Sequence, residues 1–302
     1  MLFFCGKDNY SKKVFLKFVI LSTLEHLVCS RINIFAKRFL MKFYKYQGAG
    51  NDFVLLDQRE NTYIKRGDVS LIKTICDRRF GIGADGLMLL QLKEGYDFEM
   101  IYFNSDGNES TMCGNGGRCI AAFAQRLGII RSEGKFIAID GEHDVIVNDS
   151  GEYVELKMKD VNQIELLLGD FLLDTGSPHY VQFVENLEEV DIYSAGKAIR
   201  NSDRFLKEGV NVNFVENEKN TLRIGTYERG VEAETLACGT GVTAAALAFQ
   251  KYNNKAMSSI KVTAKGGDLE VKSEMINGRF KNIWLCGPAK FVFEGVYILR
   301  DK

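Results

Sequence analysis

Two prolines and one tryptophan in 302 residues leave the chain with little rigid punctuation, and only three histidines are available for metal binding or proton transfer. An excess of one charge is missing too: 39 Lys and Arg stand against 40 Asp and Glu, for a net of −1, so no overall field draws the chain to nucleic acid or to an anionic membrane surface. The apolar stretch 14–28 is broken by Lys17, Glu25 and His26, which makes it a poor membrane span. No small-x-small cleavage site follows it, which argues against a signal peptide. Cysteines number seven, an odd count scattered over a chain too long to be a small disulfide scaffold, so reduced thiols in a cytosolic protein are expected. With so little proline, the 29 glycines must supply nearly all the special backbone geometry, and glycine clusters are the places to search for function.

What is present is an apolar fraction of 46%, enough to bury the core of one large or two ordinary domains. The first forty residues differ in composition, with seven Lys and Arg against two Asp and Glu. Residues 1–40 are therefore expected to be an extension outside the fold, with the working protein beginning at Met41. Short β-rich runs dominate from there, such as Phe53-Val54-Leu55-Leu56, Gly86-Leu87-Met88-Leu89-Leu90 and Phe98-Glu99-Met100-Ile101-Tyr102-Phe103. Helical patterns are few: Gly116 to Leu127, Ser194 to Asn201 and Gly241 to Tyr252. Hairpin-linked strands with few helices predict an α+β protein.

The most informative feature is an internal repeat. Cys113-Gly114-Asn115-Gly116 feeds an alanine-rich helical pattern, and Cys238-Gly239-Thr240-Gly241 feeds another 125 residues later. A β-run ending in a polar turn precedes each, Phe103-Asn104-Ser105-Asp106-Gly107 and Tyr227-Glu228-Arg229-Gly230. Such self-similarity predicts two like domains, pseudo-twofold related, each a mostly antiparallel sheet or barrel wrapped around a central helix, with the site between them. The expected boundaries are 41–157, joined by a final strand at about 289–300, and 158–288.

A helix start exposes unpaired N–H groups and partial positive charge, and glycines there let an anion reach the backbone. Each loop is thus a candidate carboxylate cradle. The same field favours thiolate over thiol, so Cys113 and Cys238 are expected to have lowered pKa values and to act as base or nucleophile. Two such cysteines in mirrored positions suit a reaction that needs an acid and a base on opposite faces of one carbon, as inversion of an amino-acid Cα does. Cys76, Cys119 and Cys286 read as small buried hydrophobes. Zinc at Cys113 and Cys119 is disfavoured by their five-residue gap and the scarcity of histidine. A Rossmann reading of 81–86 fails because a strand pattern, not a helix, follows.

Several motifs in order resemble the diaminopimelate epimerases: Gln47-Gly48-Ala49-Gly50-Asn51-Asp52-Phe53, Gly81-Ile82-Gly83-Ala84-Asp85-Gly86, Gly176-Ser177-Pro178-His179, Glu208-Gly209-Val210-Asn211, and the two cysteine loops with the turns before them. The resemblance runs from Met41 nearly to the end. It implies interconversion of LL- and meso-diaminopimelate in lysine and peptidoglycan-precursor synthesis, in the cytoplasm, with no cofactor and no metal, usually as a homodimer. Carried over, it makes Cys113 and Cys238 the acid/base pair, with His179 and Glu228 priming them. Gly114, Asn115, Gly239 and Thr240 would cradle the α-carboxylate, with side-chain help. Asn51, Asn104, Asn211, Glu228 and Arg229 would hold the amino and carboxylate groups, Arg229 gripping the distal carboxylate. Ser177 would be a further substrate contact, of shorter reach than the asparagine that many members have there, and Gly86 stands where some have a contacting glutamine. Proline or hydroxyproline epimerases share the two-cysteine logic, but a compact ring would not need Arg229, Asn51 and Asn211. A phenazine-type isomerase would not keep both cysteines. A non-catalytic amino-acid binder, or a redox sensor pairing the two cysteines, is the reading from another class.

Overall fold

Alternating and apolar runs set the strands of this chain, and glycine turns end them. A computed structural model describes residues 40–219 and 221–299; the expectation for residues 1–39 lies outside the described residues. Residues 43–294 form one compact unit, which holds the site described below, and residues 40–42 and 295–299 group separately. The first half of the chain contains β1 (Leu40–Gly48), β2 (Asn51–Asp57), α1 (Val69–Cys76), β3 (Gly86–Gln91), β4 (Phe98–Asn104), α2 (Gly114–Arg126), β5 (Glu133–Ala138), β6 (Gly141–Val147) and β7 (Tyr153–Lys157). The second contains β8 (Glu165–Leu167), β9 (Asp170–Asp174), β10 (Pro178–Val184), α3 (Ile192–Arg200), β11 (Asn211–Glu218), β12 (Thr221–Glu228), β13 (Ala233–Thr235), α4 (Gly239–Tyr252), β14 (Ser259–Ala264), β15 (Gly267–Ile276), β16 (Arg279–Pro288) and β17 (Lys290–Ile298).

The two halves pair their strands in the same order. In the first, β1–β2 is antiparallel, β2–β3 parallel, β3–β4 antiparallel, β4–β5 parallel, and β5–β6–β7 antiparallel. In the second, β9–β10, β10–β11, β11–β12, β12–β14 and β14–β15–β16 repeat that sequence of directions. Each parallel pair needs a crossover, and four helices among the described residues supply them: α1 and α3 at the first, α2 and α4 at the second. Antiparallel pairing of β16 with β7 joins the halves into one 17-stranded sheet. The fold is therefore the expected α+β pair of pseudo-symmetric domains, mostly antiparallel, each around a helix.

Why α2 and α4 sit at the centres follows from their side chains. Ala121, Ala122 and Ala124 in α2, and Ala244, Ala245, Ala246 and Ala248 in α4, are buried, and their small size lets strands close over the helix. Larger residues such as Phe123 and Leu247, both fully buried, fill the remaining space; truncating Phe123 to alanine would cost about 3–5 kcal/mol. Among the described residues no helix is long and apolar enough to cross a membrane.

Candidate active site

Both central helices begin at a cysteine. Cys113 and Cys238 are the residues preceding the first helical turn of α2 and α4, both in extended conformation. The first free amides of each helix turn back on sulfur: Gly116 and Asn115 N–H face Cys113, and Gly241 N–H faces Cys238. The loops meet backbone to backbone. A Cβ on Gly239 would lie 3.2 Å from the Gly114 Cα, one on Gly114 would lie 3.4 Å from the Gly239 Cα, and either would sit 2.8 Å from Leu285 Cδ2. The second glycine of each loop is equally confined: a Cβ on Gly116 would meet Met88 Cε at 2.2 Å, and one on Gly241 would meet Asn213 Oδ1 at 2.4 Å. A side chain at any of these four positions would force its neighbours to move.

One cavity of about 750 Å³ is lined by both cysteines together with Gly114, Gly239, Thr240, Asn51, Asn104, Ser177, Asn211, Glu228 and Arg229. Asn104 is exposed at its lip. Cys113 is half-buried and Cys238 is 8% exposed. Asn51 Nδ2 donates to Asp85 Oδ2 at 2.6 Å, and Cys113 Sγ lies 3.6 Å from Asn51 Oδ1. Asn211 is committed on all sides, donating to Ser177 Oγ and the Pro178 carbonyl and accepting from the Arg229 N–H. Arg229 lines the cavity, and its guanidinium donates to the Glu208 carbonyl at 2.9 Å.

Two expected site residues stand outside the lining. Asn115 is fully buried: its Nδ2 donates to the carbonyl of Ala237 at 2.9 Å, and its Oδ1 accepts from Arg118 Nη2 at 2.9 Å. Its side chain therefore ties one cysteine loop to the residue before the other cysteine, and the expected side-chain help to a carboxylate is replaced by a bridge between loops. His179 is also fully buried, and burial with the nearby Arg229 charge holds its pKa down to about 3, so the imidazole is neutral.

The expectation of lowered thiol pKa values is corrected. Burial pushes both Cys113 and Cys238 up, the Glu228 carboxylate adds to that at each sulfur, and the helix amides only partly offset it. Burial also raises the Glu228 carboxyl, whose Oε2 accepts from Thr235 Oγ1 at 2.9 Å. A thiolate formed here is a strong base, which suits a weakly acidic C–H. The three other described thiols, Cys76, Cys119 and Cys286, are buried and pushed to about 12, as inert cysteines should be.

Sequence reasoning assigned no role to Asp85, although it lies inside the quoted glycine motif, nor to Tyr102, Thr235 and Asn213. At Gly86 any Cβ would meet Tyr102 Cε2 at 2.5 Å and the Phe103 carbonyl at 2.6 Å, so the Tyr102 ring fills the space a side chain would take and lines the cavity in its place. Among the described residues no three His, Cys, Asp or Glu side chains gather to hold a metal ion.

Comparison with known proteins agrees with this architecture. A family model described as diaminopimelate epimerase matches residues 43–170 and again 171–292. A diaminopimelate epimerase from Flavobacterium psychrophilum is 50% identical over 255 residues, covering 84% of this chain and 99% of the relative. Among solved structures, a phenazine biosynthesis protein of the PhzF family from Bacillus anthracis shares the fold at TM-score 0.68 and 13% identity, covering 86% of this chain and 99% of its own. A hydroxyproline epimerase from Agrobacterium vitis does so at TM-score 0.61 and 14% identity, covering 87% and 93%. Identities that low speak for the fold alone, whereas the family match spans both halves of the repeat: the chain belongs to the diaminopimelate epimerase family and is an isomerase.

Proposed function

We propose that this isomerase interconverts LL- and meso-diaminopimelate by a two-base reaction without cofactor, serving lysine and peptidoglycan-precursor synthesis in the cytoplasm. The observation that carries the reading is the opening of Cys113 and Cys238, from the starts of twin central helices, onto one cavity. In the reaction, one thiolate removes the Cα proton, and the other thiol delivers its own proton to the opposite face of the same carbon. The substrate's α-carboxylate sits between the helix starts, on the amides of Gly114, Asn115, Gly239 and Thr240, where the two partial positive charges stabilise the electron-rich carbon centre next to it. Arg229 takes the distal carboxylate as a planar donor. Asn51, Asn104, Asn211 and Glu228 border the rest of the molecule, with Glu228 as acceptor for an ammonium group.

Each domain contributes one base, with boundaries at 41–157, joined by the final strand, and 158–288. The active species is a homodimer, which a sedimentation experiment reads as twice the mass of one chain. The test of function is turnover in heavy water. Deuterium should enter the Cα position of LL-diaminopimelate while L-proline and hydroxyproline stay unlabelled. Preferential labelling of either ring substrate would transfer the site to the proline-type reaction, and no labelling of any would leave a binder.

A further inference from the structure

The two sulfurs face side chains of opposite hydrogen-bond polarity, and the direction of every bond can be worked out from donors and acceptors alone. A backbone carbonyl only accepts, so the Asn213 side-chain atom 3.0 Å from the Tyr180 carbonyl is Nδ2, and the same NH₂ group donates to His179 Nδ1 at 3.0 Å. Thr226 Oγ1 donates to the Asn213 Oδ1 at 3.0 Å, in keeping with that orientation. His179 therefore carries its proton on Nε2 and donates to Ser177 Oγ at 3.0 Å. Asn211 Nδ2 also donates to Ser177 Oγ, at 3.0 Å, its orientation fixed by the Pro178 carbonyl and the Arg229 N–H. With both acceptor positions of Ser177 Oγ used, its own hydrogen points to Thr240 Oγ1 at 3.3 Å, and the Thr240 hydrogen is left for Cys238 Sγ at 3.4 Å.

The opposite holds at the other sulfur. Asp85 accepts only, so Asn51 must turn Nδ2 toward it and Oδ1 toward Cys113. An Oδ1 can only accept, and the Cys113 sulfur must donate to it. Asp85 is itself held by Arg78 at 2.7 Å, so the amide cannot flip without breaking a charge-assisted bond.

We propose that Ser177 and Thr240 form a positioning relay that makes Cys238 the sulfur poised as base, while Asn51 holds Cys113 as the thiol. The consequence for catalysis rests on the epimerase reading above. In one inversion the Cys238 thiolate takes the Cα proton to become S–H, and the Cα electron pair then takes the proton of Cys113, which becomes the thiolate. Ser177 thus acts through Thr240 rather than on substrate. Glu228 raises both thiols, so it favours neither sulfur as the thiolate.

The test does not depend on turnover. Rates of alkylation by iodoacetamide at one pH, mapped by peptide mass spectrometry, report the thiolate fraction at each cysteine, and each rate is compared only with that of the same cysteine in the parent protein. Thr240→Val should slow Cys238 about tenfold, the loss of one hydrogen bond to a charged acceptor, while Ser177→Ala, which leaves the Thr240 hydroxyl but no longer turns its hydrogen to sulfur, should slow Cys238 by less, and both should leave Cys113 unchanged. Ser177→Thr, which keeps the hydroxyl, should restore Cys238. Thr240→Val against Thr240→Ser repeats the comparison at the last link, so a misfolded Ser177→Ala would still leave the question answered. Equal slowing of both cysteines, no slowing of either, or failure of the hydroxyl-bearing variants to restore Cys238 would overturn the relay. Because labelling in heavy water is read separately, an intact relay in a chain that exchanges no Cα hydrogen would sink the function and leave the polarity standing.

Discussion

Adding one methyl group where the two cysteine loops touch should separate catalysis from folding. In Gly239→Ala the new Cβ would lie 3.2 Å from the Gly114 Cα and 2.8 Å from Leu285 Cδ2. Ordinary contact needs several tenths of an ångström more in each direction. Leu285 is fully buried and Gly114 is backbone at the start of a buried helix, so neither yields freely. Overpacking of this kind costs about 1–3 kcal/mol, against which the better helix propensity of alanine returns at most about 1 kcal/mol. The melting temperature should therefore fall by only a few degrees, at about 2–4 °C per kcal/mol for a chain of this size. Activity should suffer more. Spreading the loops moves both sulfurs relative to one carbon, and a misplacement approaching 1 Å costs on the order of 10²-fold. The assay is kcat/KM by Cα-hydrogen exchange in heavy water, alongside thermal unfolding. Trimming the obstruction in Gly239→Ala/Leu285→Val should return part of the activity. Wild-type kcat/KM in Gly239→Ala would refute the claim that the contact sets the distance between the bases.

Three further outcomes follow from the same geometry. Cys113→Ala and Cys238→Ala should each lower epimerisation by at least about 10³-fold with unfolding curves close to the parent's, since each removes an obligatory proton carrier; near-normal turnover in either would end the two-base scheme. His179 has its folded pKa lowered from 6.5 to about 3, so between those values the unfolded chain binds the extra proton, and stability falls as pH drops through that window while nothing is lost above it. His179→Gln should flatten the slope of unfolding free energy between pH 6 and 4 by up to about 1.4 kcal/mol per unit, and superimposable slopes would contradict a neutral buried imidazole. Asn115→Ala strips partners from the Ala237 carbonyl and from Arg118, both inside the protein, and should cost about 1–3 kcal/mol in denaturant unfolding; a loss of activity without any loss of stability would mean that the side chain serves substrate after all.

How far the sequence carries this picture depends on whether a residue's role is local. The paired Cys-Gly-x-Gly loops were legible because a helix start and a close backbone approach are both written in consecutive residues, and the 125-residue offset exposed the twofold plan that strand pairing repeats. Helix α1 went unread because eight residues with only Ile72, Ile75 and Cys76 buried give too little periodicity. The thiol shift was read with the wrong sign, since the helix field is visible in the motif but the burial that outweighs it is made by distant strands. Asn115 illustrates the same limit at a single side chain. The motif places it beside a cysteine, yet its partner is the carbonyl of Ala237, 122 residues away, and only folding decides that its amide bridges the loops rather than facing the cavity. Ser177 looked like a shortened substrate contact for the same reason: its meaning lies in His179, Asn211 and Thr240 converging on one oxygen, and no spacing in the chain encodes that convergence. A departure from a family pattern is therefore weak evidence of lost function until the bonds around the new atom have been counted, because a shorter side chain can take up hydrogen bonds that a longer one would block.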